Sequence, residues 1–235
     1  SFDYSQIELR LAALLSGDTY LQDVFIEGRD VHSAVAMRVF GVKEEEVTAE
    51  MRRRAKVINF GILYGMGVNA LKENLGTARA EAQKFYDNYF AEFPSIQGYL
   101  ETVVEEAKKS GFTETLFGRK RYFPGLRSKV PFIKAMAERM TINAPIQGTA
   151  ADIIKIAIQN VDKALGKNNL LSDAHLILQV HDELIFEVKT EKIDEVSALV
   201  EGAMKDVIPS EFLIGKTGVP LEVHVKVGAN WGQMQ

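Results

Sequence analysis

The chain has 235 residues, of which 46% are hydrophobic and none is cysteine. That length can bury one sizeable core, or a core with a second lobe; the composition excludes collagen-like and low-complexity chains, and the lack of thiols excludes disulfides and thiolate metal sites. A formal net charge of −4 argues at face value against a nucleic-acid partner, but nine basic side chains face two acidic ones between Lys108 and Arg139, and ten acidic face five basic from Asp182 onward.

Residues 6–15 (QIELRLAALL) space their apolar side chains at helical intervals. Asp30 is placed to cap a second helix running toward Phe40. Thr48 leads into a long helix over about 51–64, which Gly65 and Gly67 are expected to end by supplying positive φ. Helical patterns resume over 78–90 and, after Pro94, over 95–110. Gly111, Gly118, Pro124, Gly125 and Pro131 mark a basic, loop-rich segment with a short hairpin. One helix is then predicted over 132–143 and a separate one after Pro145, to about Leu165. The period changes to two at 175–180 and 184–188, which flank a His181-Asp182-Glu183 turn and read as a hairpin. A helix over 191–207 and a strand over 221–227 follow. The sum is an α+β fold: a small antiparallel sheet with packed helices, and a mainly helical insertion between its first strand and the hairpin.

Three groups carry chemistry. Residues 2–10 read FDYSQIELR, 52–65 read RRRAKVINFGILYG, and 179–184 read QVHDEL. Standing alone, each has an ordinary explanation as a cap, a solvated basic face or turn chemistry. Arg52, Lys56, Phe60 and Tyr64 recur every fourth residue, which sets two cations and two rings along one helix face. The cations suit a triphosphate, Arg by a bidentate grip and Lys as a point charge. The rings suit a sugar and a base. Arg139, Asn143 and Gln147 repeat the spacing, with Pro145 expected to break or kink the helix between the last two.

Taken in order, the three groups resemble the signature motifs of family A (DNA polymerase I-like) DNA polymerases. The linking stretches TLFGRKRYFPGL (115–126) and AERMTINAPIQGTAADIIK (137–155) are similar as well. The resemblance implies template-directed addition of deoxynucleoside triphosphates to a primer 3′-OH, in DNA replication or repair, with primer-template DNA and dNTPs as partners. Displacement at a phosphate charges both the attacking and the leaving oxygen, and two hard cations ~3.5–4 Å apart can clamp both. Magnesium takes oxygen ligands and keeps waters, so a pair of carboxylates suffices. Asp3 and Asp182 are the expected ligands of two Mg2+ ions, with Mn2+ as a substitute. By resemblance, the Tyr4 backbone carbonyl is a further ligand and Glu183 an auxiliary carboxylate; Lys56 joins Asp3, Asp182 and Glu183 in the catalytic set. Gln6, Glu8, His32, Arg52, Lys56, Phe60 and Tyr64 are expected around the dNTP, and Arg139, Asn143, Gln147 and His181 on the primer-template. Minor-groove acceptors of the four bases occupy equivalent positions, so amide and guanidinium donors can test pair geometry without reading sequence. The basic stretch would hold backbone phosphates.

Glu8 matches the position that crowds the sugar 2′ carbon and excludes ribose. Phe60 matches the DNA polymerase pattern and implies discrimination against 3′-deoxy terminators. Both argue against the rival reading, a phage-type single-subunit RNA polymerase. The expected division is palm over 1–15, fingers over 16–131 and palm over 132–235. The chain opens at Ser1 and enters its first motif within three residues, so it is expected to be a piece that lacks the family's upstream thumb and exonuclease-like regions. A strand stub at a chain end frays; the piece alone is expected to extend primers weakly or not at all, and a non-catalytic primer-template-binding fragment stays open as the second reading. No run reaches the ~18 apolar residues of a membrane span, no secretory leader pattern is visible, and a cytoplasmic location is expected.

Overall fold

The structure is a computed structural model and describes residues 1–213 and 218–234. In chain order, β1 (Phe2–Tyr4) leads into α1 (Ile7–Ser16), α2 (Thr19–Ile26), α3 (Val31–Phe40), α4 (Ala49–Leu63), α5 (Val68–Leu75), α6 (Arg79–Glu92) and α7 (Pro94–Ser110). A hairpin of β2 (Phe112–Glu114) and β3 (Lys120–Tyr122) precedes α8 (Pro131–Lys167), and β4 (Ala174–Val180), β5 (Glu183–Val188), α9 (Ile193–Lys205) and β6 (Val223–Val225) follow. The α+β class is the one expected, with α2–α7 forming the helical insertion between β1 and the β4–β5 hairpin.

The main sheet has the order β4-β5-β1-β6 and is antiparallel throughout. Although β1 comes first in the chain and is only three residues long, it is paired on both sides. Alternation sorts its side chains. Phe2 and Tyr4 are buried, and the Tyr4 hydroxyl donates to the Met204 carbonyl of α9 at 2.6 Å. Asp3 takes the opposite face, in a cross-strand row with its partners Glu183 and His224. On α9, Val196, Val200 and Met204 form one buried stripe at four-residue spacing, the apolar face that a surface helix turns to its core. Arg10, only 4% exposed, ties α1 to the C-terminal strand: its guanidinium donates to the Ser5 and Pro220 carbonyls and to Glu222 Oε2 at 2.9, 2.6 and 2.8 Å, and lies over the Phe25 ring.

The expected caps form. Asp30 Oδ1 accepts from the Ser33 amide at 2.7 Å and Thr48 Oγ1 from the Met51 amide at 3.2 Å, each satisfying a first-turn donor. Three expectations need correction. Only Gly65 has positive φ (71°) after α4, whereas Gly67 is in the extended region and opens α5, an element the sequence pattern did not separate. The last strand is shorter than expected, Val223–Val225 in place of 221–227. Most consequentially, Pro145 does not divide two helices: α8 runs unbroken over Pro131–Lys167. A mid-helix proline removes one amide donor and costs about 3 kcal/mol in isolation. Here α8 packs on α1 and α9, and on α7 and β2, with Ala144, Pro145 and Ile146 all buried. Tertiary packing overrides the local preference.

Candidate functional site

The strand β1 and the β4–β5 turn are fastened together at the point where the acidic residues lie. The Tyr4 amide donates to the Asp182 carbonyl at 3.3 Å, and Asp3 is the Cα partner of Glu183. His181 takes φ 53° in the tight turn, and its carbonyl accepts from Gln179 Nε2 at 3.1 Å. Gln6 takes the same left-handed conformation (φ 53°) where β1 turns into α1, and its carbonyl accepts from the Leu9 and Arg10 amides. Non-glycine residues with positive φ are uncommon and concentrate at functional sites. Gln6 and His181 both line the same cleft.

That cleft, about 470 Å³, gathers Gln6, Glu8, Phe60, Tyr64, Gln147, His181 and Asp182 from four distant stretches of chain. A second cleft of about 640 Å³ lies on the other side of the turn, lined by Asp3, Glu183, His224 and Lys226, and shares His181 and Asp182 with the first. A third of about 300 Å³ shares Tyr64 and Gln147 with the first and adds Arg121, Arg139, Met140 and Asn143. The shared residues join the three into one trough, with Asp182 at one junction and Tyr64 at the other.

Carboxylates crowd one another in the trough, opposed by His224 and Lys226 beside Asp3 and by His181 beside Asp182. Burial raises the Asp3 carboxyl above its ordinary value, and neighbouring Asp182 and Glu183 raise it further. Burial also raises Asp182, with Glu183 adding to it. Glu8 is raised by burial and by Asp182, against the lowering effect of the Tyr64 hydroxyl that donates to it. Among the described residues, no group of three or more Asp, Glu, His or Cys side chains is arranged as a metal cage. The oxygen donors that could hold a metal are the Asp3 and Asp182 carboxylates, which line the same cleft and leave the remaining positions to solvent. Such a set fits magnesium, which takes few carboxylates and retains water, and a cation there would relieve the charge that raises both aspartates.

Along α4 the four predicted residues divide. Phe60 and Tyr64 stack with ring centroids 6.1 Å apart, and Tyr64 reaches Glu8. Arg52 lies ~18 Å further along the helix axis. It grips Asp30 in a bidentate pair (3.1 and 2.6 Å), so the residue that caps α3 also holds the α4 arginine. Burial alone would raise Asp30, but the bonds from Arg52 and Ser33 draw it down to about 2. Lys56 is exposed. His32 is 3% exposed and packs on Phe60 at 5.8 Å, with burial lowering it to about 4, so it is neutral near pH 7. His32, Arg52 and Lys56 thus flank the trough without lining any of its three clefts.

Several lining residues were not among the site residues expected from the sequence. Lys155 and Gln179 line the first cleft, and His224 and Lys226 the second. Lys155 lies eight residues beyond Gln147 on α8, and a continuous helix would have pointed to it. His224 lies on β6 and Lys226 just beyond it, and only the pairing of β6 with β1 sets them beside Asp3. The turn of α8 that follows Gln147 is anchored from behind: Arg119 donates to Asp152 Oδ1 at 2.6 Å and to the Gly148 carbonyl at 2.9 Å, and the Leu116 amide donates to Thr149 Oγ1 at 2.9 Å.

A family model described as DNA polymerase family A matches residues 1–233. The thermostable DNA polymerase I of Thermus filiformis is 46% identical over 232 residues, covering 97% of this chain and 26% of that protein. The DNA polymerase I of Lactococcus lactis subsp. lactis is 45% identical over 232 residues, covering 98% and 25%, and that of Mycobacterium tuberculosis is 47% identical over 229 residues, covering 97% and 24%. The chain therefore spans about a quarter of the length of these relatives. Among solved structures, the POL domain of Pol1 from M. smegmatis, in complex with DNA primer-template and dNTP, superposes with a TM-score of 0.91 at 43% identity, covering 99% of this chain and 40% of that one. No described helix is long and apolar enough to cross a membrane.

Proposed function

The chain belongs to DNA polymerase family A, and on that footing we propose that it carries the nucleotide-adding centre of a template-directed DNA polymerase. The observation that carries the proposal is the Tyr4–Asp182 backbone hydrogen bond, which sets Asp182 next to the strand that carries Asp3; the two aspartates line one cleft, and Asp182 also lines the cleft that holds Phe60 and Tyr64. Asp3, Asp182 and the Tyr4 carbonyl would hold two Mg2+ ions, with Glu183 beside them. When bound, these ions supply charge neutralisation at the attacking and leaving oxygens and lower the pKa of the primer hydroxyl.

The remaining residues bind and orient. Arg52 and Lys56 take the triphosphate, and His32 stands behind them. Arg52 must then exchange part of its Asp30 pairing for phosphate oxygens, which offer the same bidentate geometry. Phe60 and Tyr64 pack on sugar and base. Glu8, held in place by the Tyr64 hydroxyl, closes the space that a ribose 2′-OH would need, and Gln6 borders the same space. Arg139, Asn143, Gln147 and His181 contact the primer-template, with the Arg119–Asp152 anchor holding the turn of α8 that follows Gln147. Residues 1–15 and 132–235 form the palm and 16–131 the fingers, a division supported by β1 pairing with β5 and β6 across the insertion.

The test is primer extension with Mg2+ by the natural full-length polypeptide. Asp182→Ala is expected to abolish synthesis while leaving primer-template affinity within about twofold. Loss of DNA binding together with synthesis would assign Asp182 a structural role and refute the site.

A further inference from the structure

The N-terminal half of α8 presents a surface that nucleotide addition leaves unused. Phe132, Met136 and Met140 follow at four-residue spacing and are 72%, 48% and 42% exposed. Contiguous exposure of large apolar side chains marks a binding surface. Because Pro145 leaves α8 intact, this stripe shares its face with the polar residues of the trough: at ~100° per residue, Phe132, Met136, Arg139, Met140, Asn143 and Gln147 fall within an arc of about 100°. Met140 and Arg139 already line the outer cleft together with Tyr64. Lys129 is exposed just before the helix, Arg139 lies within the arc and Arg121 stands in the outer cleft, so the apolar stripe has cations at both of its ends.

Duplex DNA offers phosphates and groove edges but hides its ring faces within the stack. An unpaired strand offers both phosphates and ring faces. Aromatic and apolar platforms beside cations are the means by which proteins hold single strands without reading sequence, and methionine sulfur packs well against rings. We infer that this face of α8, centred on Phe132 and Met136, is a stacking platform for the unpaired template strand. The inference rests on the polymerase reading and extends it to the single-stranded template. Phe132 stands ~10 Å along the helix from Arg139; at ~3.4 Å per stacked nucleotide, that is room for about three bases.

The test compares wild type with the Phe132→Ala/Met136→Ala double variant in the natural full-length polypeptide. Affinity is read by fluorescence anisotropy on a primer-template with a long 5′ template overhang and on a blunt duplex of the same paired length. The expected result is about tenfold weaker binding to the overhang DNA, with the blunt duplex unchanged and Phe132→Trp, which retains a ring, close to wild type. Equal weakening on both DNAs overturns the inference, whether it arises from contacts to paired DNA or from a folding defect visible as a lowered Tm. No weakening on either DNA also overturns it and assigns the stripe to a protein partner. If wild type binds neither DNA, the polymerase reading fails first and takes this inference with it.

Discussion

Replacing His32 with glutamine is expected to flatten the acid-side pH dependence of stability. His32 is 3% exposed and its Nδ1 has no hydrogen-bond partner among the described residues. Burial lowers its pKa from 6.5 to about 4; Asp30 opposes that shift, and the Arg52 and Lys56 cations add to it. The unfolded chain takes up the proton near the ordinary value, while the folded chain resists it until about pH 4. Between those values the unfolded state binds more protons, so stability falls as pH falls. The contribution is fully present above the unfolded value and lost as pH drops through the folded one. A shift of this size corresponds to about 3 kcal/mol in total, of which about 2 kcal/mol disappears between about pH 7 and pH 5. Urea midpoints of wild type and His32→Gln at those two pH values measure the difference directly. Glutamine approximates the imidazole in size and polarity but does not titrate, so the constant cost of substitution cancels. If both proteins lose stability in parallel across this interval, His32 is not held neutral in the folded state and the reasoning fails.

Phe60→Tyr is expected to raise incorporation of 3′-deoxy chain terminators, read from termination ladders at fixed terminator-to-dNTP ratio; unchanged ladders would displace Phe60 from the sugar. Glu8→Ala is expected to admit ribonucleotides at least about tenfold more readily, because the carboxyl held by Tyr64 no longer fills the space. Competing rNTP and dNTP incorporation measures it, and an unchanged ratio would detach Glu8 from sugar selection. Gly148→Ala would set its Cβ 2.6 Å from Thr115 Cγ2, behind Gln147. Overpacking of this kind costs about 1–3 kcal/mol, visible in thermal unfolding, and Thr115→Ser in the same chain should recover part of it by removing the clashing methyl. Failure of that recovery would mean the strain lies elsewhere on α8.

The two candidate aspartates could be singled out because their motifs are local. The neighbours FDYSQIELR and QVHDEL fix both the residue and its strand or turn, and β pairing then needed only to join two short pieces. What stayed hidden depended on long-range packing. Asp30 gave a helix cap in the sequence, and nothing local announced that its second oxygen would hold Arg52, 22 residues away. His224 was one residue of an alternating strand until β6 lay down beside β1. The reading of α8 failed for a related reason, since the proline rule weighs one lost amide bond and cannot see the buried contacts on either side of it. That single correction reorders the site. With two helices, Arg139 and Asn143 would point independently of Gln147, and Phe132 and Met136 would belong to a separate surface. With one helix, polar donors, apolar stripe and Lys155 are fixed to the same rigid axis, so the spacing between them along it is set by helix rise alone.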